Sequence, residues 1–430
     1  MKKLLLSICH CYDLGMQNTS RFIATSLITL TIFTSKPILN AHNHNGDPLV
    51  FKPVLADLKL LQAANVPVLY KDEETGVGYA VLNSAAENKL SDLAHANGRC
   101  GNFEALSEMP RDLATVREHF QALNTFHKRN QVISFSQVAD LEARPEIESA
   151  LEQLSADKIR GGVEFLSSFP TRYNRGSNPN SHINPFMDRL AEIAKQANYP
   201  ITIETISHKS TPQKSIKLTI QGATRPSEVV VLGGHLDSIS GFMGMGGKAP
   251  GADDNASGSS ALVEALRVLT LQPQPERTIE FYWYAGEESG LLGSAEIAQA
   301  AKAQNKDIIA VLQLDMTMFP GDGELKIASM SDFTSRWLRD YLVAANNTYF
   351  HATVQEDQCG YGCSDHASWY RQGFPTLFPT ESKFDSSFKD LHTPKDVISP
   401  IMSFEHAKLF SKIALTMAMD LGNSEQRQPY

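Results

Sequence analysis

Beyond Arg172, apolar residues along the chain follow two alternating rhythms. The stretches "EVVVLGGHLD" and "DIIAVLQLDM" carry near-continuous apolar runs, as expected of strands covered on both faces. "TIEFYWYAG" and "FPTLFPTES" read as two more strands. Between them, "NPFMDRLAEIAKQAN" and "SGSSALVEALRVL" bring back an apolar residue every three or four positions, the spacing of an amphipathic helix. Strands that alternate with helices predict βαβ units and a largely parallel sheet. The expected fold is α/β, a three-layer α/β/α sandwich with a mostly parallel, mixed central sheet.

Ahead of that region the rhythm is different. "VPVLYK" and "GVGYAVLN" read as short strands, and "SAAENKLSDLAHANG" as a helix that Ser84 caps and Gly98 ends. These predict a small α+β unit over 42–130, bounded by the polar stretch "FHKRNQ". Next comes "RPEIESALEQLSADKIRGGVEFLSSF", an amphipathic helical run that opens the larger domain, 131–430. The tail "NSEQRQPY" reads as unstructured.

The N-terminus changes the picture. Arg21 precedes an apolar stretch from Phe22 to Phe33, and Ala41 offers a small residue for cleavage, so 1–41 reads as a secretory signal region with Met16 a candidate start. The stretch is short for a membrane span, and no stable membrane association is expected. Of 430 residues, 42% are hydrophobic and 20% charged, with a net charge of -9 and no run of Lys or Arg. That excludes nucleic acid and anionic membrane surfaces as electrostatic partners. Cys9 and Cys11 lie in the leader and Cys100 stands alone, while Cys359 and Cys363 are four apart in "CGYGCSDH". In an exported protein such a pair suggests a local disulfide, the alternative being half of a structural zinc site whose second half is missing.

The candidate chemistry lies where strands end. His235 and Asp237 close one strand, Glu287 and Glu288 follow another, Asp315 closes a third, and His392 follows "LFPTES". Asp253 sits in a glycine-rich loop before a helix. Ligands of open α/β sheets bind outside the carboxyl ends of the strands, where loops converge. Imidazole and carboxylate without thiolate suit zinc and tolerate cobalt or manganese. His235, Asp253, Glu288, Asp315 and His392 form a ligand set large enough for two ions that share a carboxylate. Asp237, two residues along from His235, is placed to hydrogen-bond the imidazole. Glu287 and Glu288 can serve one site only if the chain bends between Gly286 and Gly290; the plainer alternative is a pair of acids favoured at a helix N-terminus.

These residues resemble the secreted di-zinc aminopeptidases of metallopeptidase family M28, above all the bacterial leucyl aminopeptidases. The likeness runs through "GGHLDS", "PGADDNASG", "AGEESGLLGS", "QLDM", "CGYGCSDHASW", "ESKFD" and "LHTPKD", from about Ser134 to Leu421. It implies two zinc ions bridged by Asp253, with His235 and Asp315 on one and Glu288 and His392 on the other. It implies Glu287 as general base, Tyr361 near the oxyanion, a Cys359–Cys363 disulfide and a cis peptide between Asp253 and Asp254. It further implies a secreted enzyme that removes N-terminal residues, preferentially large hydrophobic ones such as leucine, from peptides and proteins. Residues 42–130 would be an inhibitory propeptide removed by an activating protease. Met316, Phe378, Phe384 and Leu391 would form the pocket for the first side chain, with Thr380 and Ser387 making it wider or more polar. A glutaminyl cyclase of related fold, with one zinc, and a non-catalytic binding ectodomain are the competing readings. A zinc count separates the first, and loss of ligands would mark the second.

Overall fold

The computed structural model describes residues 51–73, 76–96, 103–106, 112–132, 141–241, 247–321 and 323–425. Cys9, Cys11, Gly98 and Cys100 lie outside the described residues. Phe51–Tyr430 forms one compact unit.

Its first part is built on β1 (Phe51–Asp57), α1 (Leu58–Ala63), β2 (Val68–Asp72), β3 (Val77–Asn83), α2 (Ser84–Ala96), β4 (Phe103–Ala105) and α3 (Leu113–Val132). The strands pair antiparallel in the order β2-β3-β1-β4 around a core of their own that includes Val54, Leu61, Ala80, Leu82 and Leu90. Three details differ from what the sequence predicts. Asn83 accepts from the Ala86 N–H at the start of α2, one residue ahead of the expected cap. β1 and β4 are unexpected, because their apolar residues follow no clean period. The stretch "FHKRNQ", expected as a linker, is the last part of α3; Phe120 and Leu123 of that helix are buried with Leu55 and Tyr79, and tertiary burial outweighs its polar composition.

The second part follows: α4 (Pro145–Leu151), α5 (Ala156–Ser167), α6 (Ile183–Ala194), β5 (Ile201–Ile206), β6 (Ser215–Ile220), β7 (Arg225–His235), α7 (Gly258–Leu269), β8 (Arg277–Tyr284), α8 (Leu292–Ala303) and β9 (Asp307–Gln313). The chain closes with β10 (Lys326–Met330), α9 (Arg336–Ala345), β11 (Thr353–Asp357), α10 (His366–Arg371), β12 (Thr376–Leu377), β13 (Pro379–Thr380) and α11 (Phe404–Leu421). The helical run expected as one piece is two helices: the first ends at Leu151 with Glu152 as its C-cap, and Ser155 accepts from Lys158 N–H as the cap of α5.

The main sheet has the order β12-β9-β7-β8-β6-β5. The first four strands run parallel, β6 pairs antiparallel with β8, and edge strand β5 pairs antiparallel with β6. Successive side chains of a strand point to opposite faces. Val230, Leu232, Phe281 and Trp283 therefore face the layer of α5, α7 and α11, while Val229, Val231, Tyr282 and Tyr284 face α8 and α10. Each large apolar side chain so buried contributes about 1.5–3 kcal/mol. This is the expected three-layer sandwich with a mostly parallel mixed sheet.

Register decides where the site lies. His235 of β7 pairs with Tyr284 of β8, and Gly233 of β7 with Gln313 of β9. Three central strands thus end at one level, and the segments after them leave from one edge. Gly233 is required there, because a Cβ would lie 2.4 Å from the Tyr284 ring. "FPTLFPTES", expected as one strand, is divided: β12 joins the main sheet, and β13 pairs with β10 in a small sheet of order β11-β10-β13. Among the described residues, no helix is long and apolar enough to cross a membrane.

Candidate metal centre and specificity pocket

At the carboxyl edge of β7, β8 and β9, His235, Asp254, Glu288, Asp315 and His392 meet, all buried. His235 Nε2 lies 3.1 Å from Asp254 Oδ1 and 3.2 Å from Asp315 Oδ1. His392 Nε2 lies 2.9 Å from Asp254 Oδ2 and 3.1 Å from Glu288 Oε2. The two oxygens of Asp254 therefore face different imidazole–carboxylate pairs. Donor atoms of His235, Asp254 and Glu288 fall within 4.8 Å of one another, close enough to share one small cation.

The expectation for Asp253 is corrected by this geometry. Neighbouring side chains on a chain diverge, so one of the two acids enters the site, and it is Asp254. Asp396 holds the backbone of both: its Oδ1 accepts from Asp253 N–H at 2.8 Å and its Oδ2 from Asp254 N–H at 3.1 Å. Asp253 turns away, and its Oδ1 accepts from Met318 N–H at 3.2 Å. The cis peptide is likewise one residue further on, at Asp254–Asn255.

Arg172 holds the preceding loop, donating to the carbonyls of Leu236, Pro250 and Gly251. Gly251 has φ +53°, and a Cβ there would lie 2.4 Å from Asp254 O and 2.8 Å from the Arg172 guanidinium. Only glycine fits such a left-handed, crowded position. Ser364 Oγ donates to Asp315 Oδ2 at 2.6 Å and fixes that carboxylate from behind. Sequence reasoning does not find Asp396, Arg172 or Ser364. Asp396 lies in the segment "LHTPKD", which does carry a family likeness, but Arg172 binds backbone carbonyls from distant loops, which no local motif reveals.

Glu287 and Glu288 occupy a short turn, Glu287–Ser289, between Gly286 and Gly290, both with positive φ. The chain does bend as two acids in one site require, and helix α8 starts only at Leu292. Asp237 secures the turn, its Oδ1 accepting from Glu287 N–H and its Oδ2 from Glu288 N–H at 3.0 and 3.2 Å. Asp237 Oδ1 also lies 3.5 Å from His235 Nδ1, and the Asp237 carbonyl 3.2 Å from it. One residue thus orients both an imidazole and the acidic pair.

The electrostatics are those of a site short of positive charge. Burial pushes the Glu287 carboxyl well above the usual carboxylate range; His235 opposes this, and Glu288 and Asp315 add to it. Glu288 is pushed up to about 7, by burial first and then by Asp254. Burial works against the charged imidazole of His235, but Asp315, Asp237 and Asp254 carry its proton affinity well above the ordinary value. Neither oxygen of Glu287 has a hydrogen-bond partner among the described residues. Buried carboxylates packed this closely either take up protons or hold cations among them. Nitrogen and oxygen donors without thiolate suit zinc, so the residues present fit the group.

Beside the centre lies a pocket lined by Asp315, Met316, Tyr361, Phe378, Phe384 and Leu391, with Thr380, Glu381, Ser382 and Ser387 as its polar part. The four apolar residues expected there all line it, as does Tyr361. Cys359 and Cys363 are disulfide-bonded and form part of the same wall.

Known proteins agree with this arrangement. The sequence profile of peptidase family M28 matches residues 215–418. A probable aminopeptidase of Saccharomyces cerevisiae is 32% identical over 72% of this chain and 84% of its own length. Leucine aminopeptidase 1 of Penicillium rubens is 34% identical over 85% of this chain and 97% of its own length. The crystal structure of the LapA aminopeptidase of Legionella pneumophila superposes with a TM-score of 0.73 at 25% identity, covering 88% of this chain and 100% of LapA. With fold, buried imidazole–carboxylate centre and relatives in accord, this chain belongs to peptidase family M28 as a metallo-aminopeptidase.

Proposed function

We propose that the protein is a secreted di-zinc aminopeptidase that removes large hydrophobic N-terminal residues, leucine among them, from peptides and proteins. The observation that carries the reading is the division of Asp254, one oxygen toward His235 and Asp315 and the other toward His392 and Glu288. His235, Asp254 and Asp315 would hold one ion, and His392, Asp254 and Glu288 the other. Zinc supplies, when bound, Lewis acidity toward the scissile carbonyl and the attacking water.

The chain's own groups do the rest. Glu287 takes a proton from the attacking water and returns it to the departing amine. Asp237 keeps the His235 ring and the Glu287 turn in fixed relation. Tyr361 lines the pocket wall, and in this reading its hydroxyl donates to the developing oxyanion. Met316, Phe378, Phe384 and Leu391 receive the first side chain, and Thr380 and Ser387 leave room for broad specificity.

Metal-loaded mature protein is expected to release free amino acids from a panel of amino-acid p-nitroanilides, fastest for leucine and similar side chains. N-acetylated versions are expected to be inert, because the buried carboxylates and metals hold a free α-amine. Efficient turnover of blocked substrates would overturn the reading.

The N-terminal unit of 42–130 acts as propeptide in this reading. In its favour, Phe103 packs on Gly290, Ala105 N–H donates to Gly290 O at 3.3 Å, and Glu104 pairs with buried Arg371. All three contacts lie on the segment just after Glu288 or on the helix behind the disulfide loop. Protein cut near Asn130 is expected to be more active than protein beginning near His42, and the released segment to inhibit when added back. Equal activity of the two forms would mark this unit as a permanent domain.

A further inference from the structure

The turn that carries Glu287 is gripped by more than Asp237. Four consecutive backbone N–H groups each donate to a side-chain oxygen: Ala285 to Ser215 Oγ at 2.9 Å, Gly286 to Gln213 Oε1 at 3.1 Å, and Glu287 and Glu288 to the two oxygens of Asp237. Ser215 opens β6 and Gln213 lies two residues before it. Gln213 Nε2 also donates to the carbonyls of Arg172 and Pro179, at 2.9 and 3.1 Å. The same amide therefore ties the Glu287 turn to the arginine that holds the Asp254 loop.

Behind Ser215 stands a second row. His208 Nε2 lies 2.7 Å from Ser215 Oγ, and His208 Nδ1 lies 3.5 Å from Glu296 Oε2. Glu296 is itself held by the N–H groups of Lys209 and Ser210 and by the Ser210 hydroxyl. One proton assignment fits the line, with the His208–Glu296 approach at ion-pair rather than hydrogen-bond distance. His208 carries its proton on Nδ1 toward Glu296, its Nε2 accepts the Ser215 hydroxyl proton, and Ser215 Oγ accepts from Ala285 N–H. Serine, imidazole and carboxylate in that order make a nucleophile in hydrolases. Here no substrate reaches the serine: it is fully buried, and a Cβ on Gly293 would lie 2.9 Å from its Oγ.

We infer that Ser215, backed by His208 and Glu296, is together with Gln213 a positioning residue for proton transfer at Glu287. The inference rests on the reading of Glu287 as the proton-transfer group. The Glu287 carboxylate has no hydrogen bond among the described residues, so its placement depends on the backbone below it. That backbone is anchored at Ala285 and Gly286 by these two side chains. A displacement of about 1 Å at a reacting group costs on the order of 10²-fold in rate, and Ser215→Ala removes one of the four anchors.

The test is a double-mutant cycle on the zinc-loaded enzyme with leucine p-nitroanilide, comparing Ser215→Ala, Glu287→Gln and the two combined. Ser215→Ala is expected to lower kcat by about 10- to 100-fold, with KM changed less than about threefold and zinc content unchanged. In the Glu287→Gln background the same change is expected to alter the residual kcat by less than about twofold, because the two act through one group. Equal factors in both backgrounds would overturn the inference, as would loss of zinc or a lowered Tm with unaltered kcat. Full turnover by Glu287→Gln alone would instead defeat the general-base reading, a result distinguishable from the others. Should Ser215→Ala not fold, His208→Gln takes its place in the cycle, with a smaller expected loss of about 3- to 10-fold and the same overturning results.

Discussion

Glu287→Gln is expected to leave both metal positions filled and KM close to that of the parent enzyme while kcat falls by at least about 10²- to 10⁴-fold. The carboxylate is fully buried, faces no hydrogen-bond donor among the described residues, and shares its surroundings with His235, Glu288 and Asp315. An amide of the same shape neither accepts the proton of the attacking water nor returns it to the leaving amine. Residual rate remains because carbonyl polarisation does not depend on Glu287. Glu288→Gln is expected to behave differently, since Glu288 stands 3.1 Å from His392. It should weaken one metal and raise the zinc concentration needed for activity. If Glu287→Gln loses metal and recovers with added zinc, the two acids have exchanged roles.

Asp254→Asn is expected to cost affinity at both metal positions at once, whereas Asp253→Asn is expected to retain two ions. Asp254 places one oxygen 3.1 Å from His235 and the other 2.9 Å from His392. A neutral amide offers a single weak acceptor in place of two anionic oxygens, and a shared carboxylate links the two occupancies. Asp253 instead accepts from the Met318 N–H and stands off the centre. Metal analysis after dialysis against a chelator and re-addition of zinc checks both variants. An Asp254→Asn protein that holds one ion with unchanged affinity would contradict the shared role. An Asp253→Asn protein that loses both would restore the neighbouring aspartate to it.

Much of the molecule is legible in the order of its residues. Near-continuous apolar runs mark β7 and β9 because strands covered on both faces need no polar side. Acids and imidazoles at their ends mark the site because loops converge there in open sheets. His235, Glu288, Asp315 and His392 stand out in that way, and the four apolar pocket residues follow from the family likeness. The N-terminal unit is less legible. β1, β4 and the last part of α3 have weak periodicity; Leu55 of β1 and Phe120 and Phe126 of α3 pack in one cluster with Leu291, Phe333 and Tyr370, which lie far along the chain.

Composition and order along the chain determined the fold class, the edge of the sheet that bears the chemistry and most of the residues in it. These follow from local causes, namely apolar period, loop glycines and the types of side chain that can bind a cation. The choice between Asp253 and Asp254 was beyond such reasoning. Both are acids in the same loop, and tertiary contacts separate them: Asp396, from more than a hundred residues away, holds both backbone N–H groups, and Met318 N–H takes the Asp253 side chain. The same holds for Arg172 on the carbonyls before that loop and for Ser215 and Gln213 under the Glu287 turn. Hydrogen bonds from side chain to backbone across the fold leave no period in a sequence, because the acceptor or donor they use is one that every residue carries.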